Sequence, residues 1–289
     1  MTSVLVVVVG LACALIYGAG DYFGGLASKR ISPVRVVAFA GLIGLALLAV
    51  FSPIVGGTLS AEAVYWGVLS GVAGSMAILT LYWALAIGPM SILSPLTAVI
   101  SAIVPLGWGV VLGERLTLMG YVALGIALVA VVLVGFVPEK GAVRPSVKGV
   151  VVASVSGVLI GVLLILLHRA PEDSGLLPLI FNRASYLVIL WGIVLVLWLR
   201  SRGAGRSFGP PARPVLWPIV AAGVADAVAN TLLIIGFRLG DLSVIAVLAA
   251  LYPAGTIALA AIFLKERIAP VQWIGLGLAL VAAGLLALA

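Results

Sequence analysis

Charged residues are scarce in this sequence: Asp, Glu, Lys and Arg make up 9 % of its 289 residues. Soluble domains carry about 25 % charged residues. The chain is instead 64 % hydrophobic, with a mean hydropathy of +1.36, and no water-soluble core could absorb that much apolar surface. The composition therefore excludes an ordinary soluble protein and predicts that lipid surrounds most of the chain.

Cysteine and histidine are almost absent, with one residue of each, Cys13 and His168. A single cysteine excludes a disulfide framework and a thiolate metal cluster, and a single histidine excludes a cluster of imidazole ligands. The sequence also lacks the motifs GxxxxGK[ST], HExxH and GxSxG, so neither ATP drive within this chain nor an intramembrane enzyme is supported. We expect a protein that is not an enzyme and that holds no metal or cofactor.

Apolar stretches recur along the whole chain, and about 20 residues suffice to cross a hydrocarbon core about 30 Å thick. Ten spans are predicted, separated by gaps that contain proline, glycine and charges. They cover approximately residues 3–23, 34–55, 62–88, 90–112, 117–137, 147–167, 176–199, 215–238, 242–264 and 270–288. The predicted fold class is an all-α membrane protein with ten transmembrane helices.

The distribution of Lys and Arg predicts the orientation of these spans. If the amino terminus is external, 12 of the 16 basic residues lie in the cytoplasmic gaps. Basic residues favour the cytoplasmic side of short loops, so we place both termini on the external side. The gaps form no basic face of the kind that binds nucleic acid, and membrane lipid is the expected partner.

The charged pair Glu114–Arg115 recurs as Glu266–Arg267 in the same apolar setting. An ungapped overlay of residues 88–133 on 240–285 aligns the two pairs. Each copy then contains five spans, and an odd number of spans inverts the second copy relative to the first. The two charged turns are therefore expected on opposite faces of the membrane.

The duplication predicts two five-helix units, residues 1–137 and 147–289, joined by a cytoplasmic linker at 138–146. Inverted repeats are a common plan of secondary transporters, in which two mirrored halves expose one central site alternately to either side. A simpler interpretation of the charges is also open. Glu114 and Glu266 would then cap the helix that follows each turn and pair with the adjacent arginine.

Each unit ends in a charged turn and a closing helix rich in Gly, Ala and Leu. The two stretches read LGERLTLMGYVALGIALVAVVLVG (112–135) and LKERIAPVQWIGLGLALVAAGLLAL (264–288). On these motifs the sequence resembles the ten-helix, EamA-type branch of the drug/metabolite transporter superfamily, over essentially the whole chain. Within that branch it most resembles the YddG-type exporters of aromatic amino acids. One departure is that Pro253, in the helix before the second turn, aligns with Ser101, so the halves need not bend alike.

The resemblance implies secondary export of small amphipathic metabolites across a bacterial inner membrane, with aromatic or other apolar amino acids as the expected small-molecule substrates. The alternative is export of another class, such as small amino acids or drug-like cations. An intramembrane enzyme is a much weaker alternative, given the missing motifs.

Ionisable groups at membrane depth are costly and need a reason. Asp226 lies near the middle of the eighth span, and Asn230 follows one turn later on the same face. They could bind a substrate ammonium group or a proton, or they could be a hydrogen-bonded pair that joins helices. Arg183, about two turns into the seventh span, is expected to reach the lipid headgroups, and contact with substrate is the alternative.

Other polar and aromatic side chains at helical spacing are candidates for the wall of a binding cavity. On the fourth span they form one stripe, which could line a cavity or serve close helix packing. The stripe consists of Ser94, Thr97, Ser101 and Trp108. The tyrosines could stack on a planar substrate. The remaining candidates are Tyr17, Ser75, Tyr82, Tyr252 and Thr256.

Overall fold

The computed structural model describes residues 4–28, 30–87, 90–135, 146–201, 213–263 and 269–288. Within these ranges the regular structure is helical. The helices are α1 (Val4–Ser28), α2 (Pro33–Val55), α3 (Ala61–Ile87), α4 (Met90–Val111), α5 (Leu118–Gly135), α6 (Val147–His168), α7 (Leu177–Ser201), α8 (Arg213–Leu239), α9 (Leu242–Ala249), α10 (Tyr252–Phe263) and α11 (Pro270–Leu288). A 3-10 turn at Glu172–Ser174 lies between α6 and α7.

Local sequence signals set several helix ends. Pro33 begins α2, where its missing N–H costs nothing because the first turn has no intrahelical acceptor for it. Ser146 caps α6 by accepting a hydrogen bond from the Gly149 amide at 3.0 Å. Gly56 ends α2 with a φ of 75°, a conformation that glycine adopts without steric cost.

Ten apolar segments follow one another along the described chain, as the sequence predicts. Eight are long and apolar enough to cross a membrane, and one of these joins α9 and α10. Two shorter apolar helices, Leu96–Val111 and Leu118–Val134, complete the set. The predicted fold class is confirmed: the protein is an all-α membrane protein of ten membrane segments arranged as two inverted five-segment repeats.

The ninth segment is not one helix. α9 ends at Ala249, and α10 begins at Tyr252, just before Pro253. Proline has no N–H, so the Ala249 carbonyl lacks the donor that an unbroken helix would supply four residues later. The corresponding segment of the first half, α4, runs without interruption from Met90 to Val111. The halves therefore bend differently, as the position of Pro253 predicts.

Helix packing follows a two-fold pattern between the halves. The most extensive contacts join α1 to α8 and α3 to α6, and exchanging the halves converts one pair into the other. α5 packs against α11, its own counterpart, and α2 packs against α7 in the same way. Each half therefore completes its core with helices of the other half.

Contacts between loops identify the two ends of the bundle. At the first end, the Thr58 amide donates to the Asp173 carbonyl at 2.9 Å, and the Leu242 amide donates to Glu114 at 3.0 Å. The α2–α3, α4–α5, α6–α7 and α8–α9 connections thus lie together. At the second end, Lys148 lies 5.1 Å from the ring centroid of Trp83.

The α4–α5 turn and the start of α11 lie at opposite ends of the bundle. The α4–α5 turn carries Glu114 at the first end. α11 begins at the second end, where Gln272 donates to the carbonyl of Val134, near the last turn of α5, at 3.3 Å. The second charged turn, Lys265–Arg267, lies outside the described residues.

Candidate functional site

A cavity of about 260 Å³ lies in the centre of the bundle between the two halves. α1, α3, α4, α6, α7 and α8 line it, together with the break between α9 and α10. Most of the wall is apolar, and the polar and aromatic members are confined to part of it. These members are Tyr17, Asp21, Ser101, Asn182, Arg183, Tyr186, Asp226, Asn230 and Tyr252.

An ion pair between α7 and α8 is the centre of the polar wall. The Arg183 Nη2 atom lies 2.5 Å from the Asp226 Oδ2 atom. Arg183 is 8 % exposed, whereas the Asp226 side chain is 33 % exposed towards the cavity. The guanidinium also lies 5.2 Å from the ring centroid of Tyr186. A buried guanidinium is tolerable only with such a partner, because transfer of an unpaired charge from water is very costly.

Asn230 supports the same carboxylate from one turn along α8. Its Nδ2 atom donates to the Asp226 Oδ1 atom at 3.1 Å and to the Asp226 carbonyl at 2.8 Å. The prediction that Asp226 and Asn230 share a face is confirmed. The interpretation of Arg183 as a residue that reaches the headgroups is wrong, because its side chain faces α8 instead of lipid.

Equivalent positions of the two halves line the cavity, but the side chains at those positions differ in polarity. Counted from the helix starts, Asp226 and Asn230 of α8 occupy the same positions as Gly74 and Ile78 of α3. All four line the cavity. The two-fold relation of the halves therefore sets a polar surface on α8 opposite an apolar surface on α3.

α1 and α6 differ in the same way, because equivalent positions are polar in α1 and apolar in α6. Tyr17 and Asp21 of α1 occupy the positions that Ile160 and Leu164 hold in α6, again counted from the helix starts, and all four line the cavity. Because α1 packs on α8 and α3 packs on α6, these positions give the cavity two sides of different chemistry. We call the α1–α8 side the polar lobe and the α3–α6 side the apolar lobe.

The break in the ninth segment brings backbone groups to the cavity. Ala246, Ala249 and Ala250 line it at the carboxyl end of α9, and Tyr252 lines it at the start of α10. The carboxyl end of a helix carries partial negative charge and the amino end partial positive charge. Both kinds of helix end therefore face the same cavity.

The cavity is closed at the first end and accessible from the second. All eight residues of α9, which begins at the first end, are at most 7 % exposed. Asp21 lies one turn beyond Tyr17 towards the second end, and it is exposed although it lines the cavity. Solvent therefore reaches the polar lobe from the second end.

Of the candidate binding residues predicted from the sequence, the structure brings five together at the cavity. They belong to α1, α4, α8 and α10. These five are Tyr17, Ser101, Asp226, Asn230 and Tyr252.

Other candidates lie between helices, away from the lining of this cavity. The Thr97 hydroxyl contacts the carbonyl of Ala153 in α6 at 3.1 Å. The Thr256 hydroxyl donates to the carbonyl of Gly18 in α1 at 3.1 Å. Both side chains therefore join helices, which is the alternative that the sequence left open for the α4 stripe.

Four candidates from the sequence remain. Ser75 is fully buried and donates to the Val72 carbonyl of its own helix at 2.8 Å. Trp108 packs against the large apolar core. The side chains of Tyr82 and Ser94 lie outside the described part of the structure.

The predicted site omits four residues that line the cavity: Asp21 of α1, and Asn182, Arg183 and Tyr186 of α7. Asp21 follows Tyr17 by one turn, so the sequence places both on one helical face. Tyr186 follows Asn182 by four residues and Arg183 by three, which places it beside both of them on α7. This spacing was a signal in the sequence, although the shallow depth of Arg183 in its span favoured contact with lipid headgroups.

Comparison with known proteins agrees with this architecture. The EamA-like transporter family matches residues 4–136 and again residues 147–288. Among 29 matching chains of solved structures, one described only as a crystal structure of a protein has a TM-score of 0.78 and 17 % identity, covering 99 % of this chain and 97 % of the other. No curated protein matches. Two consecutive matches that together span most of the chain show that the protein belongs to the EamA-like transporter family, whose members are membrane transporters of small metabolites.

Proposed function

We propose that this transporter exports small amphipathic metabolites, with aromatic and other apolar amino acids as its main substrates, by alternating access through the central cavity. The observation that carries the proposal is the division of one cavity into a polar lobe and an apolar lobe. An amphipathic solute satisfies both lobes only when its charged head and its apolar body lie on opposite sides.

Charges in the polar lobe suit a zwitterionic head group. Arg183 can bind a carboxylate in bidentate geometry, while Asp226 and Asp21 can accept an ammonium group. Because Arg183 and Asp226 already neutralise each other, a substrate that carries both charges can insert between them without leaving either group unpaired.

The helix break supports the same assignment. The carboxyl end of α9, with the Ala249 carbonyl lacking its usual donor at Pro253, favours a positive group. The start of α10 at Tyr252 favours a negative group. Discontinuous helices coordinate substrates in this way in other secondary transporters.

Aromatic and apolar surface is available for the body of the substrate. The rings of Tyr17 and Tyr252 line the cavity, and Ile78, Ile160 and Leu163 belong to its apolar wall. Aromatic rings and branched side chains can pack against a planar or branched apolar group. This combination favours aromatic and large aliphatic amino acids.

Alternating access and direction rest on the inverted halves and on the distribution of charge. The most basic connections follow α1, α5, α7 and α10, all at the second end, so the positive-inside bias makes that end cytoplasmic. A cavity accessible from the second end would then face the cytoplasm, the state that loads a substrate for export.

A second candidate is export of a drug-like cation. Asp21 and Asp226 give the polar lobe two carboxylates against the one guanidinium of Arg183, a formal excess of one negative charge that favours a cationic guest. Export of small polar amino acids is the other alternative, and it would leave the apolar lobe unfilled.

Counterflow by purified protein in proteoliposomes tests these candidates against one another. Vesicles are loaded with unlabelled solute, and uptake of labelled phenylalanine, tryptophan, leucine, alanine or an organic cation is measured. We expect exchange of the aromatic and large aliphatic amino acids, and its loss in Asp226→Asn. Glu62→Gln, which alters an exposed carboxylate in the first turn of α3, should exchange normally. Exchange of the cation alone would replace the proposal by the second candidate.

A further inference from the structure

Glu114, in the turn between α4 and α5, binds the start of a helix in the other half of the protein. Its Oε1 atom accepts a hydrogen bond from the Leu242 amide at 3.0 Å, and its Oε2 atom accepts one from the Ser243 amide at 3.3 Å. The Ser243 hydroxyl also donates to Oε2. One carboxylate thus satisfies two amides and a hydroxyl in the first turn of α9.

The turn before α9 supplies no side-chain cap of its own, whereas the turn before α5 does. Asp241 occupies the position before α9, but its side chain makes no capping hydrogen bond. α5, which follows Glu114 in sequence, has the Thr117 hydroxyl as acceptor for the Gly120 amide at 3.1 Å. The expectation that Glu114 caps the helix after its own turn is therefore wrong, since the cap that it provides lies in the other half.

The backbone leaves room for this contact only because residue 109 is glycine. A Cβ atom at Gly109 would lie 2.1 Å from the Glu114 Oε2 atom and 2.3 Å from the Ser243 hydroxyl. Gly113 adopts a φ of 91°, which turns the chain so that Glu114 points back at α4 and α9. The turn is thus built to deliver one carboxylate to the start of α9.

α9 is the element that closes the cavity at the first end. Its residues are buried throughout, and its carboxyl end lines the cavity through Ala246 and Ala249. A bond that ties the start of α9 to the α4–α5 turn therefore ties the two halves together on the closed side. A carboxylate is suited to this role, because it binds amides at a helix start more strongly than a neutral group does.

We propose that Glu114 is a positioning residue for transport. It holds the start of α9 at the α4–α5 turn, so that the first end stays closed while the cavity faces the second end. Its bonds to Leu242 and Ser243 break when the first end opens. The inference rests on the alternating access of the proposed function, but it is independent of which solute is carried.

Sidedness of thiol labelling tests this role without any substrate. Cys13, the single cysteine of the sequence, is replaced by alanine, and Ser101→Cys provides one reporter in the cavity. A membrane-impermeant maleimide is then added to either face of oriented proteoliposomes. We expect labelling of the parent from the second end. Glu114→Gln should raise labelling from the first end about tenfold relative to the second, because it weakens a helix cap that stabilises the closed state.

Two further variants separate a positioning role from a structural one. Ser243→Ala removes one donor and leaves both amides, so it should shift the labelling ratio in the same direction by a smaller factor. Glu172→Gln, on a neighbouring exposed turn at the first end, should leave the ratio unchanged.

Two results would overturn the inference. One is an unchanged labelling ratio in folded Glu114→Gln. The other is failure of both Glu114→Gln and Ser243→Ala to fold, which would assign the bond to the fold instead of to one state. If Glu114→Gln shifts the labelling ratio but the protein exchanges no amino acid in counterflow, this inference stands and the proposed substrate class is wrong.

Discussion

Arg183 and Asp226 are expected to depend on each other for stability. Asp226→Ala should lower the free energy of unfolding by about 3 to 5 kcal/mol, because it leaves a buried guanidinium unpaired. The double variant Arg183→Leu/Asp226→Leu removes both charges and should recover much of that loss, yet it should abolish counterflow. Thermal unfolding of the purified protein in detergent and counterflow in vesicles measure the two effects. A double variant as unstable as the single one would show that the two side chains are not coupled.

The surroundings of a single side chain could be predicted only where the sequence allows one interpretation. Asp226 lies far from both ends of its span, so a carboxylate there has to face protein or water. Arg183 lies within reach of the membrane surface, so its depth permits lipid headgroups as well as the ion pair. The choice between them depends on a partner 43 residues further along the chain, which local patterns do not reveal.

At the scale of elements, the crossing of α1 and α10 depends on glycine. A Cβ atom at Gly18 would lie 2.4 Å from the Tyr252 carbonyl and 2.5 Å from the Thr256 amide. Gly18→Ala should therefore push α10 away from α1 and cost about 1 to 3 kcal/mol of stability. Gly25→Ala, in the same helix with no atom within 4 Å, is the matched control and should leave stability unchanged or raise it by up to about 1 kcal/mol, because alanine favours the helix. Detergent melting curves compare them, and equal melting temperatures would contradict the close crossing.

Pro253 should matter for transport more than for folding. Pro253→Ala restores an N–H that can bond the Ala249 carbonyl, so α9 and α10 can join into one helix. We expect unchanged or higher thermal stability, since proline inside a helix costs about 3 kcal/mol, together with a large loss of counterflow. Pro218→Ala in α8, which continues unbroken through its proline, is the control and should still transport. Full activity of Pro253→Ala would show that the break is not needed.

The elements themselves could largely be predicted from the sequence. Ten apolar runs separated by proline, glycine and charge give helix bounds close to those observed, because the length needed to cross lipid is nearly constant. The break at Ala250 was signalled by Pro253 but could not be located, since proline is tolerated within many membrane helices.

At the scale of the molecule, the two charged turns should be reached from opposite sides of the membrane. In the Cys13→Ala background, Arg115→Cys should react with an impermeant thiol reagent only from outside intact cells. Ala269→Cys, just before α11, should react only after the cytoplasmic face is exposed. The reason is that the α4–α5 turn and the start of α11 lie at opposite ends of the bundle. Labelling of both positions from one side would contradict the inverted arrangement.

The repeated Glu–Arg pair revealed the inverted plan of the molecule, yet it could not reveal the two lobes of the cavity. Duplication conserves helix lengths and packing faces, so an overlay of the halves detects the scaffold. The lobes arise where the halves differ, as at Asp226 and Gly74. An overlay of the two halves detects similar residues and therefore does not detect such positions.

The polar and apolar lobes face each other across the pseudo-two-fold axis near the middle of the helices. In an inverted repeat that axis runs parallel to the membrane, so the lobes lie side by side at one depth. A guest that fills both lies lengthwise in the membrane plane, with its head beside Asp226 and its tail beside Gly74. Under the proposed function, neither end of such a guest would precede the other through the membrane, and its charged head would stay beside the polar side of the cavity throughout.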